Sequence, residues 1–227
     1  MEKERQGAAA ASASTVSASP KLGATLLRVA WLAILLGFVM EALKLLSAAG
    51  VGVFLGLNLT VVADLVGQIS WSTIVCVGLA IGTAVSKFRA SLMGVLGLLS
   101  APLAFGVSCS LHQGAVQSLA IWQTASGPGP SLYVLAVLKA IEYACLGAAL
   151  GWIGGRLWGG ALAHVAVGFA AGIFFGGAIV AATYWTSPEP PAAADLIVRG
   201  FNELLFPVGC SLVIFSAQAL GKRLPTD

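Results

Sequence analysis

The chain is a succession of long apolar runs interrupted by short polar or helix-breaking segments. Six runs stand out, at about 29–49, 63–86, 90–111, 132–155, 157–184 and 196–219. Each is long enough to cross a hydrocarbon core of roughly 30 Å as a helix, at about 1.5 Å per residue. The breaks carry turn chemistry or charge: SKFRAS between the second and third runs, TASGPGPS between the third and fourth, TSPEPPAAAD between the fifth and sixth. No two-residue alternation of apolar and polar positions is present, so a barrel is not predicted. Helices also satisfy their backbone hydrogen bonds within each segment, as a bilayer demands.

The predicted fold is therefore all-α: a polytopic membrane helix bundle with six transmembrane helices and both termini cytoplasmic. It occupies residues 23–227, behind a disordered cytoplasmic tail over 1–22. That tail is rich in Ala and Ser, and its small residues precede the first apolar run, so it does not have the order of a cleavable secretory signal.

Composition strengthens the membrane reading. Over 227 residues the chain is 58% hydrophobic and 9% charged, and its mean hydropathy is +0.94, far from the balance of a water-soluble domain. The net charge of +3 is too small and too dispersed to suggest nucleic acid. The positions of the cations carry more information than their sum. With six crossings, Lys3, Arg5, Lys21, Arg28, Lys87, Arg89, Arg156, Lys222 and Arg223 fall on one side, and the three loops on the other side hold no Lys or Arg. This is the positive-inside pattern, and it is what places the termini in the cytoplasm.

Other features are read more plainly. Cys76, Cys109, Cys145 and Cys210 lie on four different runs without metal-ligand or redox spacing, so core thiols are expected. Trp71, Trp158 and Trp185 lie near predicted helix ends, as an interfacial belt would have them. Asn58-Leu59-Thr60 has the form of a glycosylation acceptor on the outer side. Laying 76–89 on 145–158 matches Cys76 with Cys145, Gly78 with Gly147, Gly82 with Gly151 and Lys87 with Arg156. In a chain this rich in Gly and Ala, coincidence and duplication both account for that match.

Small residues recur every fourth position at Gly78 and Gly82, at Gly147, Gly151 and Gly155, and at Gly168, Gly172 and Gly176. Such rows let helix backbones approach closely, a main source of helix association in lipid. They would serve packing within one bundle or docking of a partner helix.

The ionisable residues inside the runs form three pairs: Glu41 with Lys44, Lys139 with Glu142, and Arg199 with Glu203. Each is spaced three or four apart, on one helical face. In the predicted orientation each base lies nearer the outer surface and each acid about one turn deeper. Glu142 would sit about 15 Å below the outer boundary, and Asp64 would add an acid near the mouth. A charge at mid-membrane costs at least about 2.5 to 3.5 kcal/mol on insertion scales, so these groups should face the bundle interior or a wet cavity. They predict an outward-facing charged vestibule, that is, an ion or solute path; alternatively each base neutralises the acid on its own helix in a structural network.

Enzyme chemistry finds no support. His112 and His164 are predicted at opposite membrane faces and cannot share a metal or haem. GVSCS at 106–110 lacks the last Gly and the α/β setting of a nucleophile elbow. No catalytic residue, metal site or cofactor is expected. The expected function is a small transporter or channel component in a bacterial inner membrane. The alternative is a non-transporting subunit or assembly factor. Expected partners are the lipid bilayer, a homo-oligomer or larger membrane complex, and a small ion or solute.

Overall fold

The computed structural model describes residues 19–52, 59–83, 88–119, 132–187, 189 and 191–223. Residues 1–18 of the predicted tail, Asn58, Lys87 and the whole 120–131 linker lie outside these residues. Six helices long and apolar enough to span a bilayer account for nearly all of the rest. They are α1 (Ser19–Gly50), α2 (Leu59–Gly82), α3 (Arg89–Ser118), α4 (Leu132–Ile153), α5 (Ala161–Thr186) and α6 (Ala193–Arg223). No strand occurs among the described residues.

Several helices exceed their apolar runs. Residue 19, where α1 begins, falls within the predicted tail, because Ala, Leu and Lys before residue 29 are good helix formers that need no lipid. The second helix starts at Leu59 instead of 63, which moves Trp71 from a helix end to its middle.

Each helix packs on its neighbours in sequence, and α1 closes the ring against α6. Adjacent helices are antiparallel. Ser72 Oγ donates to the Ala33 carbonyl at 2.8 Å, and Ser108 Oγ donates to the Gly67 carbonyl at 2.8 Å. Across the middle, α2, α4 and α6 run parallel. Trp71 meets Tyr143 and Phe206 edge-on at centroid distances of 5.8 and 6.1 Å, and Tyr143 meets Phe206 at 6.2 Å. Trp71 is thus a core residue and not part of an interfacial belt, whereas Trp158 and Trp185 stand exposed beyond α4 and near the end of α5.

The glycine rows are used inside the ring. A side chain on Gly78 or Gly82 would meet Ser100 or Met93 of α3, and one on Gly147 or Gly151 would meet Met93 or Ala90 of the same helix. The two halves of the sequence match therefore clasp α3 from opposite sides. Gly168, Gly172 and Gly176 of α5 lie against the α6 backbone. Gly155 falls beyond the end of α4 and joins no such row.

The bundle is apolar outside and encloses charged groups within a largely apolar core. Trp31, Leu35, Leu99, Leu103 and Phe174 are exposed, while Glu41, Lys139, Glu142, His164 and Glu203 are buried. Exposed apolar surface on this scale is what lipid contact requires. The chain has the architecture of a multi-pass membrane protein.

Candidate functional site

The ring has two poles. The first carries the α1–α2, α3–α4 and α5–α6 connections; the second carries the α2–α3 and α4–α5 connections. Glu41 and Lys44 of α1, Asp64 of α2, Lys139 and Glu142 of α4 and Arg199 and Glu203 of α6 lie in the half nearer the first pole, most of them in two clusters.

The shallower cluster joins three helices. Lys44 of α1 lies 3.0 Å from Glu41 on its own helix and donates to Asp64 Oδ2 of α2 at 2.8 Å. The other Asp64 oxygen lies 2.9 Å from His112 Nε2 of α3. Asp64 is only about five residues into α2, roughly 7 Å along it, which leaves it part-exposed. Glu41 is one turn deeper and buried, and neither of its carboxylate oxygens accepts a hydrogen bond among the described residues.

The deeper cluster joins α4 and α6. Lys139 donates to Glu142 Oε2 at 2.9 Å and also to Glu203 Oε2. Its ammonium lies 5.8 Å from the Trp71 ring centroid and 5.7 Å from that of Tyr143. Aromatic faces and two carboxylates thus replace the water that a buried ammonium loses. Glu142 has no solvent exposure, and its Oε1 accepts no hydrogen bond among the described residues.

Two clefts reach these groups. One, of about 600 Å³, is lined by Lys44, Asp64, Asp195, Arg199, Asn202 and Glu203. The other, of about 260 Å³, is lined by Lys44, Asp64, Gln68, Cys109 and His112 among others. The Lys44–Asp64 pair is their common wall. Gln68 Nε2 approaches Asn202 Oδ1 at 3.4 Å beneath it, a long contact tying α2 to α6.

The predicted acid–base layer therefore exists as geometry, with one change of partner. Glu41 with Lys44 and Lys139 with Glu142 pair within their helices. Glu203 pairs instead with Lys139 across the helix interface, and Arg199 lines the wider cleft. The physical reason is solvent: Arg199 is nearer the pole and can leave its charge half-wet, whereas Lys139 is buried and needs both acids.

Three further features surround the deeper cluster. Cys76 of α2 and Cys210 of α6 bring their sulfurs to 3.4 Å as buried free thiols. Pro207 in α6 has no N–H to give the carbonyl of Glu203, four residues back, so that carbonyl lacks its helical partner. At the same level α5 widens into a π-helical turn over Gly172–Gly176, and a methyl placed on Gly176 would sit 3.3 Å from the Glu203 carbonyl oxygen. Both irregularities fall beside the deeper cluster, a common place for π-turns at functional sites. Of these, only Pro207 and the density of glycines at 168–177 leave a trace in the sequence.

His164 lies toward the second pole, buried, with Nδ1 2.9 Å from the Gly160 carbonyl; it belongs to neither cluster. Among the described residues no group of three or more His, Cys, Asp or Glu is arranged to hold a metal ion. No protein-family model matches the sequence, and comparison with curated proteins and with solved structures finds no match.

Proposed function

We propose that this protein is a small membrane transporter or channel component whose path begins at the first pole, in the two clefts that share the Lys44–Asp64 pair, and continues to Lys139, Glu142 and Glu203. The observation that carries this reading is the burial of ionisable side chains from α1, α4 and α6 in the membrane half that the clefts open onto. Charged groups at such depth are costly, and they usually mark ion or substrate pathways. The role is non-enzymatic, and the solute meets fixed charge before it meets the aromatic floor of Trp71, Tyr143 and Phe206.

The orientation follows the cations. Arg28, Arg89 and Arg156 lie toward the second pole, which is cytoplasmic on the positive-inside rule, so the clefts face outward. A bacterial inner membrane suits this charge bias and the Gly/Ala-rich composition.

Reconstituted protein tests the proposal. Liposomes loaded in parallel with dyes sensitive to protons, sodium or potassium should report a flux that Glu142→Gln reduces at least about tenfold while the protein elutes as folded. Silence in every dye and for a panel of small labelled solutes would count against a conduit.

One observation favours the second reading, a non-transporting subunit of a larger complex. An apolar groove of about 630 Å³ runs between α5 and α6, lined by Gly172, Gly176, Gly177, Trp185 and Gly200 among others. A partner seated there would co-purify stoichiometrically in mild detergent and be lost with Gly177→Leu, a position where an added side chain meets nothing inside the chain.

A further inference from the structure

The deeper cluster has an unbalanced charge. Two carboxylates, Glu142 and Glu203, share the single ammonium of Lys139, so with all three ionised the buried group carries one net negative charge. Glu142 is wholly buried with Oε1 unpartnered, and the hydroxyl of Tyr143, the next residue, is also buried without a partner. An isolated charge in such surroundings is costly enough that proteins neutralise it.

The neighbours decide what does so. Around Tyr143 the cluster is closed by the ring of Trp71 and the thiol of Cys76 from α2, and by the ring of Phe206 and the thiol of Cys210 from α6. Hard cations need a shell of several oxygens; the buried unpartnered side-chain oxygens of the cluster among the described residues are Glu142 Oε1 and the Tyr143 hydroxyl, too few for one. A proton needs one oxygen. We propose that Lys139, Glu142 and Glu203 form a proton-binding site that takes up one exchangeable proton from the first pole. The proposal rests on the conduit reading only in naming what the path admits; the site itself stands on the geometry.

The route is short. Glu203 lines the wider cleft, Glu142 has no exposure, and Lys139 Nζ is bonded to both. A hydronium in the cleft protonates Glu203 and leaves as water, so the cluster becomes neutral. Lys139 then passes a proton to Glu142 Oε2 and regains one from the Glu203 carboxylic acid. The ammonium is restored, Glu203 is ionised again, and the proton rests on Glu142. The titratable and charged groups facing this exchange are Lys139 and Tyr143 from α4, Glu203, Arg199 and Cys210 from α6, and Cys76 from α2.

Infrared difference spectroscopy of the full chain in bilayers reads the site directly through the carboxylic acid C=O stretch. The expected result is a protonated-carboxyl band in the wild type that disappears reversibly as pH is raised. It should be lost or shifted in both Glu142→Gln and Glu203→Gln, and unchanged when sodium is exchanged for potassium at fixed pH. A wild type with no titrating carboxyl overturns the proposal, whatever the variants do. A band that survives in both variants, or one that responds to sodium or potassium, overturns it too. Flux without a titrating band keeps the conduit and removes the proton site; a titrating band without flux does the reverse.

Discussion

Lys139 of α4 holds Glu203 of α6 as well as the glutamate on its own helix, so one ammonium joins two helices that run parallel across the bundle centre. Removing it should be the most damaging single change in the polar layer. Lys139→Met leaves two buried carboxylates without a cation, at a cost of about 3 to 5 kcal/mol. The triple variant Lys139→Met, Glu142→Gln, Glu203→Gln should recover most of that loss, since no buried charge remains. Denaturation in mixed detergent micelles measures both. A single variant as stable as the wild type would contradict the buried triad.

The shallower cluster should respond far less. Lys44 and Asp64 are 24% and 38% exposed, so water screens their attraction and partly replaces it when one partner is lost. Lys44→Met is expected to cost no more than about 1 kcal/mol. The difference between the two lysines, measured side by side in the same micelles, tests the depth assigned to each.

The depth of these groups and the pairs within α1 and α4 were legible in the sequence, and the pairs between helices were not. Helix period and bilayer thickness act along one segment, so the runs, the count of six and the placement of Glu41, Glu142 and Glu203 in one half follow from local spacing. The Lys139–Glu203 bond and the meeting of Cys76 with Cys210 depend instead on how α2, α4 and α6 are set side by side. That register is fixed by close glycine contacts of α2 and α4 with α3 and of α5 with α6, which no single segment shows. Trp71 was misplaced for a simpler reason: polar Thr60 and Asp64 blur where α2 begins, and the helix starts at Leu59. The π-turn at Gly172–Gly176 has no period of its own to read, since it is an adjustment of α5 to the α6 backbone.

The α3–α4 seam offers a steric prediction with its own control. A β-carbon on Gly97 would collide with the Tyr143 carbonyl, whereas one on Gly106 of the same helix meets nothing within 4 Å. Gly97→Ala should therefore cost about 1 to 3 kcal/mol, because backbone must move. Gly106→Ala should be neutral or stabilising by up to about 1 kcal/mol, through helix propensity alone. Equal effects at the two positions would mean that α3 does not approach α4 as described.

The four thiols give a map of the water-filled side. Cys109 lines the narrower cleft beside Lys44, Asp64 and His112. Cys145 is exposed on the outer face of α4, at mid-helix, where a bilayer would cover it. Cys76 and Cys210 are buried against each other. A thiosulfonate reacts with the thiolate, forming a mixed disulfide and releasing sulfinate, and the thiolate needs water to form. A charged, membrane-impermeant thiosulfonate should therefore react with Cys109 in intact cells and spare the other three. Protection of Cys109 by Asp64→Trp, which fills the cleft wall, would confirm the route of entry. A copper–phenanthroline oxidant that enters the bilayer should instead join Cys76 to Cys210, seen in the intact chain as the mass loss of two hydrogens. Labelling of Cys109 only after the cells are opened would turn the bundle over and place the clefts on the cytoplasmic side.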